Sequence, residues 1–242
     1  MDFYLEAVEV EKSFGRKKVV DRISLRVKKG EVVGLLGPNG AGKTTTFSLI
    51  VGLLQAERGS IFLNGEDISD LSMYIRARKG LTLLPQESSV FRGLTVEENL
   101  LAAAEALRNR NLKGDVHLQE ALRELGLEKL ASVKAYSLSG GERRRLEIAR
   151  ALITNPDFFL LDEPFTGIDP IAILDIQEII LSLKKKGIGV LLTDHRVRET
   201  LKIVDRAYII SGGRIFQEGR PEDLAASEAV RKSYLGENFN FL

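Results

Sequence analysis

Gly37-Pro-Asn-Gly-Ala-Gly-Lys43-Thr44 is the stretch that decides the fold of this chain. It follows Glu31-Val-Val-Gly-Leu-Leu36, typical of a buried strand, and precedes Thr45-Thr-Phe-Ser-Leu-Ile-Val51, typical of a helix. Glycines let successive backbone N–H groups turn toward one anion, and a helix N-terminus adds positive charge. In this pattern Lys43 reaches the β- and γ-phosphates and Thr44 ligates Mg²⁺. The predicted nucleotide-binding residues are Gly37, Pro38, Asn39, Gly40, Ala41, Gly42, Lys43, Thr44 and Thr45.

Composition limits the class of protein. The 242 residues are 44% hydrophobic and 29% charged, which suits one large globular domain or a domain with a subdomain. No apolar run approaches the ~20 residues that cross a bilayer, and Met1–Glu6 has no basic leader, so we expect a peripheral membrane role at most. The 35 Lys and Arg against 34 Asp and Glu give no field that attracts nucleic acid. The absence of cysteine excludes disulfides and thiolate sites.

The order of elements predicts an α/β fold with an insertion. Alternating patterns at 3–10 and 22–27 indicate strands of a partly exposed sheet, and the apolar runs further along indicate strands buried on both faces. Between 87 and 155 the pattern becomes helical, and it predicts helices from Thr95 to Leu107, Val116 to Leu125 and Gly140 to Ile153, with a capping-box spacing at Thr95 and Glu98. We therefore predict a single domain over 1–242, with a nucleotide-binding core and β subdomain at 1–86 and 156–242 and a helical subdomain at 87–155.

Two acids follow the apolar strand Asp157-Phe-Phe-Leu-Leu161. In doubly wound sheets the carboxyl ends of strands carry the ligand site. Asp162 is then placed to hold Mg²⁺, and Glu163 to orient or deprotonate the attacking water. The alternative is a pair of solvated acids at a strand end.

The segment Leu138-Ser-Gly-Gly-Glu142 opens a further helix. Ser139 and Glu142 have the spacing of a capping box. Gly140 and Gly141 each cost about 1 kcal/mol of helix propensity relative to alanine. That cost indicates a close approach of the backbone to another group, and a phosphate at the helix N-terminus is the natural candidate. The spacing does not say which phosphate.

Taken together, the motifs resemble the ATP-binding-cassette ATPases. The matching residues occur in the family's order over nearly the whole chain: GPNGAGKTT at 37–45, Gln86, LSGGE at 138–142, FFLLDEP at 158–164, Asp169 and His195. The resemblance implies a P-loop NTPase (RecA-like) core with a mainly parallel sheet, an antiparallel β subdomain and a helical subdomain. It also implies an ATPase that uses ATP and Mg²⁺.

The resemblance implies roles for single residues within one copy of the chain. Gln86 would contact Mg²⁺ or water, and His195 would act on the γ-phosphate beside Glu163. Phe14 would stack on adenine, where the family often has tyrosine. Each has a plainer alternative: Gln86 as a loop cap, His195 as a structural histidine, and Phe14 as ordinary packing.

It also implies a second copy of the chain. Ser139, Gly140, Gly141 and Glu142 would contact the ATP of the opposite subunit in a homodimer, with Asp169 at the dimer seam. Glu142 stands where the commonest family form has glutamine, and it keeps the capping role.

Longer matches are similar to the ATP-binding subunits of bacterial lipopolysaccharide exporters. They include Leu84-Pro-Gln-Glu-Ser-Ser-Val-Phe-Arg92 and Thr193-Asp-His-Arg-Val-Arg-Glu199. This resemblance implies that Phe91 and Arg92 meet membrane permease subunits, which would hold the protein at the cytoplasmic side of the inner membrane without direct contact to the cargo. A branched-chain amino-acid importer subunit and a soluble, non-transport cassette protein remain as alternatives.

Two basic and aromatic segments stay open. Arg143-Arg-Arg145 predicts a solvated or intersubunit salt-bridging face rather than a lipid site, because consecutive helix positions face different directions. The tail from Tyr234 to Leu242 carries Phe239 and Phe241, which either pack on a partner chain or cap the core.

Overall fold

The computed structural model describes residues 3–108, 118–236 and 239, and no side chain of 106–108 is included. The strands are β1 (Tyr4–Phe14), β2 (Lys17–Lys28), β3 (Val32–Leu36), β4 (Arg58–Leu63), β5 (Glu66–Asp67), β6 (Leu81–Leu84), β7 (Phe158–Asp162), β8 (Gly189–Thr193), β9 (Arg206–Ser211) and β10 (Arg214–Gly219). The helices are α1 (Lys43–Val51), α2 (Met73–Arg78), α3 (Val96–Arg108), α4 (Leu118–Glu124), α5 (Gly140–Leu152), α6 (Pro170–Lys185), α7 (Val197–Leu201), α8 (Pro221–Ala226) and α9 (Glu228–Val230), and a π-helical turn, Arg231–Leu235, follows α9.

The central sheet has the order β10-β9-β3-β8-β7-β6. Its strands pair in parallel except for the antiparallel β9–β10 hairpin at one edge. Every residue of β3, β7 and β8 is buried, as expected for parallel strands covered on both faces. The mainly parallel α/β sheet predicted from the sequence is confirmed.

Alternate side chains of the central strands enter two separate apolar clusters. Phe159 and Leu161 of β7 pack on the side that holds α5 and α6. Phe158 and Leu160 pack on the other side, with α1 and the antiparallel sheet. The two faces of the sheet are therefore covered by different layers, as the period of two along a strand requires.

The antiparallel sheet has the order β2-β1-β4-β5. Pairing of β1 with β2 continues to Phe14 and Lys17, so both strands are longer than the sequence pattern predicted. The register shifts between Ala7 and Val10, and Glu9 lies there at a φ of 46°. Such a bulge bends the sheet over the core beneath it.

The predicted helices of the inserted region are present where the structure describes it. Thr95 and Glu98 form the predicted capping box, with the Thr95 N–H donating to Glu98 at 2.6 Å and the Glu98 N–H donating to Thr95 at 3.1 Å. Val116, at the predicted start of the next helix, lies outside the described residues, and α4 is described from Leu118. One apolar cluster joins α3 and α5 to α6, so the division at 87 and 155 stays a prediction. Within the described ranges, no helix is long and apolar enough to cross a membrane.

Candidate nucleotide site

The phosphate loop is shaped by contacts that exclude side chains at its glycines. A Cβ at Gly37 would lie 2.1 Å from the carbonyl oxygen of Ile210, on β9. Gly42 has a φ of 109°, and a Cβ there would meet the carbonyl oxygen of Val19 at 2.6 Å. The loop is thus wedged between β2 and β9, and α1 begins directly after it at Lys43. This strand, loop and helix match the sequence prediction, with the helix starting two residues earlier.

Lys43 is buried at the base of the loop. Its ammonium donates to the carbonyl oxygens of Gly37 at 2.7 Å and Pro38 at 3.0 Å. Burial lowers the pKa of Lys43, and the nearby Glu163 and Asp162 carboxylates oppose that shift. An entering phosphate would replace two neutral carbonyls by charged oxygens, which bind an ammonium more strongly.

The remaining residues of the loop are open to solvent in part. Pro38, Asn39, Gly40 and Thr44 are exposed, Thr45 is half-buried and Ala41 is buried. Phe14, the predicted adenine-stacking residue, ends β1 with its side chain 50% exposed. Phe14 pairs with Lys17 of β2, and Val19, two residues further along β2, contacts Gly42 of the phosphate loop. Phe14 therefore lies near the phosphate loop in the fold.

The carboxyl ends of β6 and β7 bring two predicted metal ligands together. Leu84 pairs with Leu161, so Gln86 and Asp162 follow at the same edge of the sheet. Asp162 is 5% exposed, and its Oδ1 atom has no hydrogen-bond partner. Burial, and then the charge of Glu163, raise the pKa of Asp162 to about 6.

These donors fit Mg²⁺. A buried carboxylate oxygen without a partner costs free energy unless a ligand satisfies it, and Mg²⁺ prefers oxygen donors with phosphate completing its shell. Asp162 supplies that oxygen, while the exposed Gln86 and Thr44 supply an amide and a hydroxyl. No larger cluster of acidic or histidine metal ligands occurs in the part of the chain that the structure describes.

Glu163 and His195 are in direct contact. The Oε1 atom of Glu163 lies 2.6 Å from Nε2 of His195, and its Oε2 atom accepts a hydrogen bond from the Thr166 hydroxyl at 3.0 Å. Glu163 is 6% exposed and has a φ of 51°, a sparsely populated conformation for a residue with a side chain. The His195 side chain is 46% exposed, whereas the Glu163 side chain is 7% exposed.

The start of α5 forms the predicted capping box. The Glu142 N–H donates to the Ser139 hydroxyl at 3.3 Å, and the Ser139 N–H donates to the Glu142 carboxylate at 2.8 Å. A Cβ at Gly140 would lie 2.9 Å from the Gly167 carbonyl oxygen, and one at Gly141 would lie 2.5 Å from Cβ of Ala172. Within one chain, the close approach inferred from these glycines is made to the start of α6, and a contact with a phosphate stays a prediction.

Asp169 is the N-cap of α6. Its Oδ1 atom accepts the N–H groups of Ile171 and Ala172, both at 3.0 Å. These hydrogen bonds, chiefly that from Ala172, lower the pKa of Asp169. Capping is a complete local role for this residue, and the predicted place at a dimer seam stays a prediction.

Arg144 is the residue that the sequence interpretation missed. It is 6% exposed, so its side chain is buried within its own chain, although the sequence predicted a solvated face at this position. Its guanidinium donates to the carbonyl oxygens of Asp162 and Glu163, both at 3.1 Å, and to that of Pro85 at 3.1 Å. It also donates to Glu147 at 2.9 Å. One cation thus ties α5 to the backbone that carries the predicted metal ligands and base.

The neighbouring arginines are half-buried and bond within their own chain, so the predicted solvated face is not seen for them, and an intersubunit salt bridge stays a prediction. Arg145 pairs with Asp175 of α6 at 2.7 Å, and Arg143 donates to the carbonyl oxygen of Leu138 at 3.0 Å. The signal that could have singled out Arg144 is its position four residues after Gly140, on the face that the glycines bring close to the core.

Phe91 and Arg92 are exposed in the loop before α3. The Phe91 backbone is held by Asn99, which accepts its N–H at 2.8 Å and donates to its carbonyl at 3.0 Å. The Arg150 guanidinium lies 4.7 Å from the centre of the Phe91 ring. An exposed ring on a fixed backbone suits a contact surface, while its partner stays a prediction.

The described part of the C-terminal tail packs on its own chain. Tyr234, Leu235 and Phe239 lie against the cluster beneath α6, and Arg198 lies 5.4 Å from the centre of the Phe239 ring. Burial raises the pKa of Tyr234 to about 12, opposed by a hydrogen bond from the backbone of Gly37 in the phosphate loop. The sequence left open whether the tail packs on a partner chain or caps the core, and Phe239 is seen to pack on the core of its own chain. Phe241 lies outside the described residues.

Comparison with known proteins settles the family. A family model described as ABC transporter matches residues 20–166. The chain belongs to the ABC transporter family. It is an ATP-binding cassette of that family, and the family's activity is ATP hydrolysis.

Individual relatives cover nearly the whole chain. It is 52% identical over 239 residues to the lipopolysaccharide export system ATP-binding protein LptB of Acidithiobacillus ferridurans, covering 99% of both chains. It is 48% identical over 236 residues to LptB of Escherichia coli K12, covering 97% of this chain and 98% of that protein. Its fold is similar to the ADP conformation of an ATP-binding cassette of an ABC transporter, with a TM-score of 0.87 and 32% identity over 98% of this chain and 100% of the other.

Proposed function

We propose that this ABC ATPase powers lipopolysaccharide export. The observation that carries the proposal is the 52% identity to a protein named for that system, extending over 99% of both chains. The alignment spans the whole chain, so it is not confined to the nucleotide site that all ATP-binding cassettes share. A branched-chain amino-acid importer is not favoured, because the named relatives of full length are export proteins.

We propose that the working unit is a homodimer. Ser139 and Gly140 are exposed at the start of α5, which packs against α6, whereas the phosphate loop packs against β2 and β9. Each chain thus presents two different half-sites on different elements. Two copies arranged head to tail complete both sites, with Ser139, Gly140, Gly141 and Glu142 of one copy facing the ATP held by Lys43 of the other.

The proposed reaction is in-line attack of water on the γ-phosphate. Lys43 and the loop N–H groups hold the phosphates, and Phe14 stacks on adenine. Mg²⁺, when bound by Thr44, Gln86 and Asp162, supplies charge neutralisation at the β- and γ-phosphates.

Glu163 orients the water and takes its proton, after the γ-phosphate has drawn His195 away from the carboxylate. The 2.6 Å contact supports this order, because the imidazole competes with water for the lone pairs of Oε1.

We propose that membrane permease subunits bind at Phe91 and Arg92 and hold the ATPase at the cytoplasmic face of the inner membrane. The exposed Phe91 ring and its rigid backbone support a docking role. On this view the chain touches neither the exported lipid nor nucleic acid, in keeping with its balanced charge.

Genetic replacement tests this function. The gene for this chain is expressed in Escherichia coli depleted of its own LptB, with Lys43→Ala as the inactive control. Growth and surface lipopolysaccharide return with the wild-type chain and not with the control. The membrane proteins that copurify with the chain are identified in parallel. Failure to restore growth together with recovery of amino-acid permeases would establish the importer alternative instead, and recovery of ribosomes or DNA the soluble one.

A further inference from the structure

Asp194 lies between the two strand ends that carry Glu163 and His195, and none of its surface is exposed. Its Oδ2 atom accepts the N–H of Phe165 at 2.8 Å, in the turn after β7. Its Oδ1 atom accepts the N–H of Arg196 at 2.8 Å, in the turn after β8. One carboxylate therefore joins the two turns.

This burial calls for a reason beyond local folding. A fully buried carboxylate is costly unless it is paired, and within the described ranges no lysine or arginine lies within ion-pair distance of Asp194. Burial raises the pKa of Asp194, and the N–H groups of Arg196 and Phe165 oppose the shift. Of the charged groups that act on it, Glu163 raises this pKa further and His195 lowers it. The side chain is thus held by backbone groups of the two catalytic turns.

The two turns have one other main-chain connection. The Glu163 N–H donates to the Thr193 carbonyl oxygen at 2.8 Å, which fixes the start of the base-bearing turn. Arg144 holds the carbonyl oxygens of Glu163 and Pro164, at 3.1 and 3.3 Å, but it does not bond to the turn after β8. Asp194 is the side chain that bonds to the backbone of both turns. The hydrogen bond from the Arg196 N–H to the Asp194 carboxylate closes a short turn with His195 at its centre. His195 is the residue whose imidazole moves during the proposed reaction.

We propose that Asp194 is a positioning residue for ATP hydrolysis, which holds the His195 turn in register with the Glu163 turn so that only the imidazole moves between the base and the γ-phosphate. The proposal rests on the roles given above to Glu163 and His195. It requires no change in how ATP is bound, because Asp194 contacts neither the phosphate loop glycines nor Lys43 in the described hydrogen bonds.

Asp194→Asn tests the proposal in the full-length chain. An amide can accept only one of the two N–H groups and turns a donor toward the other. We expect kcat to fall about 10- to 100-fold, as for loss of one charge-assisted hydrogen bond, and KM for ATP to change less than about 3-fold. Asp205→Asn is the control. Asp205 also accepts a backbone N–H, that of Val32 at 2.9 Å, but Val32 begins β3 and so lies at the end of the strand away from the phosphate loop.

A double-mutant cycle separates positioning from general stability. If Asp194 acts through His195, adding Asp194→Asn to His195→Ala lowers the remaining rate by less than about 2-fold. The chain has two histidines, so the His195 Cε1–H signal in a His117→Gln background reports on the same site without turnover. That signal should shift in Asp194→Asn and not in Asp205→Asn.

A second pair of variants covers the case in which Asp194→Asn does not fold. Arg196 has a φ of −84°, near the range of proline, so Arg196→Pro removes the donor N–H, and Arg196→Ala controls for loss of the arginine side chain. Proline also restricts the backbone of His195, so the two variants are compared with His195→Ala added as well. We expect kcat to fall in the proline variant and not in the alanine variant. The proposal is overturned if Asp194→Asn keeps wild-type kcat, or lowers it equally with and without His195. A wild-type chain without ATPase activity would instead contradict the proposed function.

Discussion

The Nε2 atom of His195 lies 2.6 Å from Oε1 of Glu163, although the two residues come from different strands. They meet because β7 and β8 are parallel neighbours in which Asp162 pairs with Thr193, so the residues after each strand share one edge of the sheet. In this arrangement the carboxylate is occupied by the imidazole.

Glu163→Gln should abolish turnover while leaving ATP binding intact. The amide keeps the size of the side chain but cannot take the proton from water, so the rate should fall by about 10²–10⁴, equivalent to about 3–5 kcal/mol of barrier. The blocked chain should accumulate as an ATP-bound dimer. Steady-state ATPase assays and light scattering with ATP measure the two effects. Glu178→Gln, on the exposed face of α6, is the control and should keep normal turnover. Normal turnover in Glu163→Gln would disprove the assignment of Glu163 as the base.

The sequence predicted those parts of the fold that depend on local patterns. Gly37 to Val51 and the two acids at the carboxyl end of β7 were placed correctly, because apolar runs, glycine turns and parallel pairing together define the sheet edge. The capping boxes at Thr95 and Ser139 were likewise predicted, since each depends on two residues three positions apart.

The contacts that join distant segments could not be predicted in the same way. Whether Arg144 or Arg143 enters the core depends on the rotation of α5 about its axis, which the packing of Gly141 on Ala172 decides. That contact links segments far apart in the chain: the spacing of four residues from Gly140 puts Arg144 on the glycine face, but no local pattern shows that this face packs on α6. The same holds for the contact of Tyr234 with Gly37.

Stability of the nucleotide-free chain should depend on Asp162 in a pH-dependent way. The folded state raises the pKa of this carboxyl from 3.8 to about 6, so it favours folding most below pH 4 and opposes it as the pH rises through 6. Asp162→Asn should therefore stabilise the chain by about 1–3 kcal/mol at pH 8 and by less at pH 4.5. Urea unfolding without nucleotide measures the difference. Asp223→Asn, exposed in α8, is the control and should change the free energy of unfolding by the same small amount at both pH values. An equal stabilisation by Asp162→Asn at pH 4.5 and pH 8 would refute this explanation.

Arg144→Lys should impair both stability and hydrolysis. Lysine keeps the charge but cannot reach the separate carbonyls of Pro85, Asp162 and Glu163, so buried acceptors are left unpaired at about 1–3 kcal/mol each. Urea unfolding should show this loss, and kcat should fall by about 10-fold because the base is less well held.

Arg143→Lys is the matched control for that variant. Arg143 lies next to Arg144 on α5 but makes one hydrogen bond to a local carbonyl, that of Leu138. Because this half-buried side chain makes a single described hydrogen bond, Arg143→Lys should cost about 1 kcal/mol or less of stability and should leave kcat unchanged. Equal effects of the two substitutions would show that the network around Arg144 does not support the site.

Gly141→Ala distinguishes the contact inside one chain from the proposed contact with the opposite ATP. The added methyl would lie 2.5 Å from Cβ of Ala172, so overpacking should cost about 1–3 kcal/mol in the unfolding of the nucleotide-free chain. Adding Ala172→Gly removes the clash and should restore stability. Gly93→Ala, with no atom within 4 Å of the new methyl, is the control. If the double variant is as stable as wild type but its ATPase activity stays low, Gly141 also acts at the nucleotide of the second copy, whereas full recovery of both would confine its role to the α5–α6 contact.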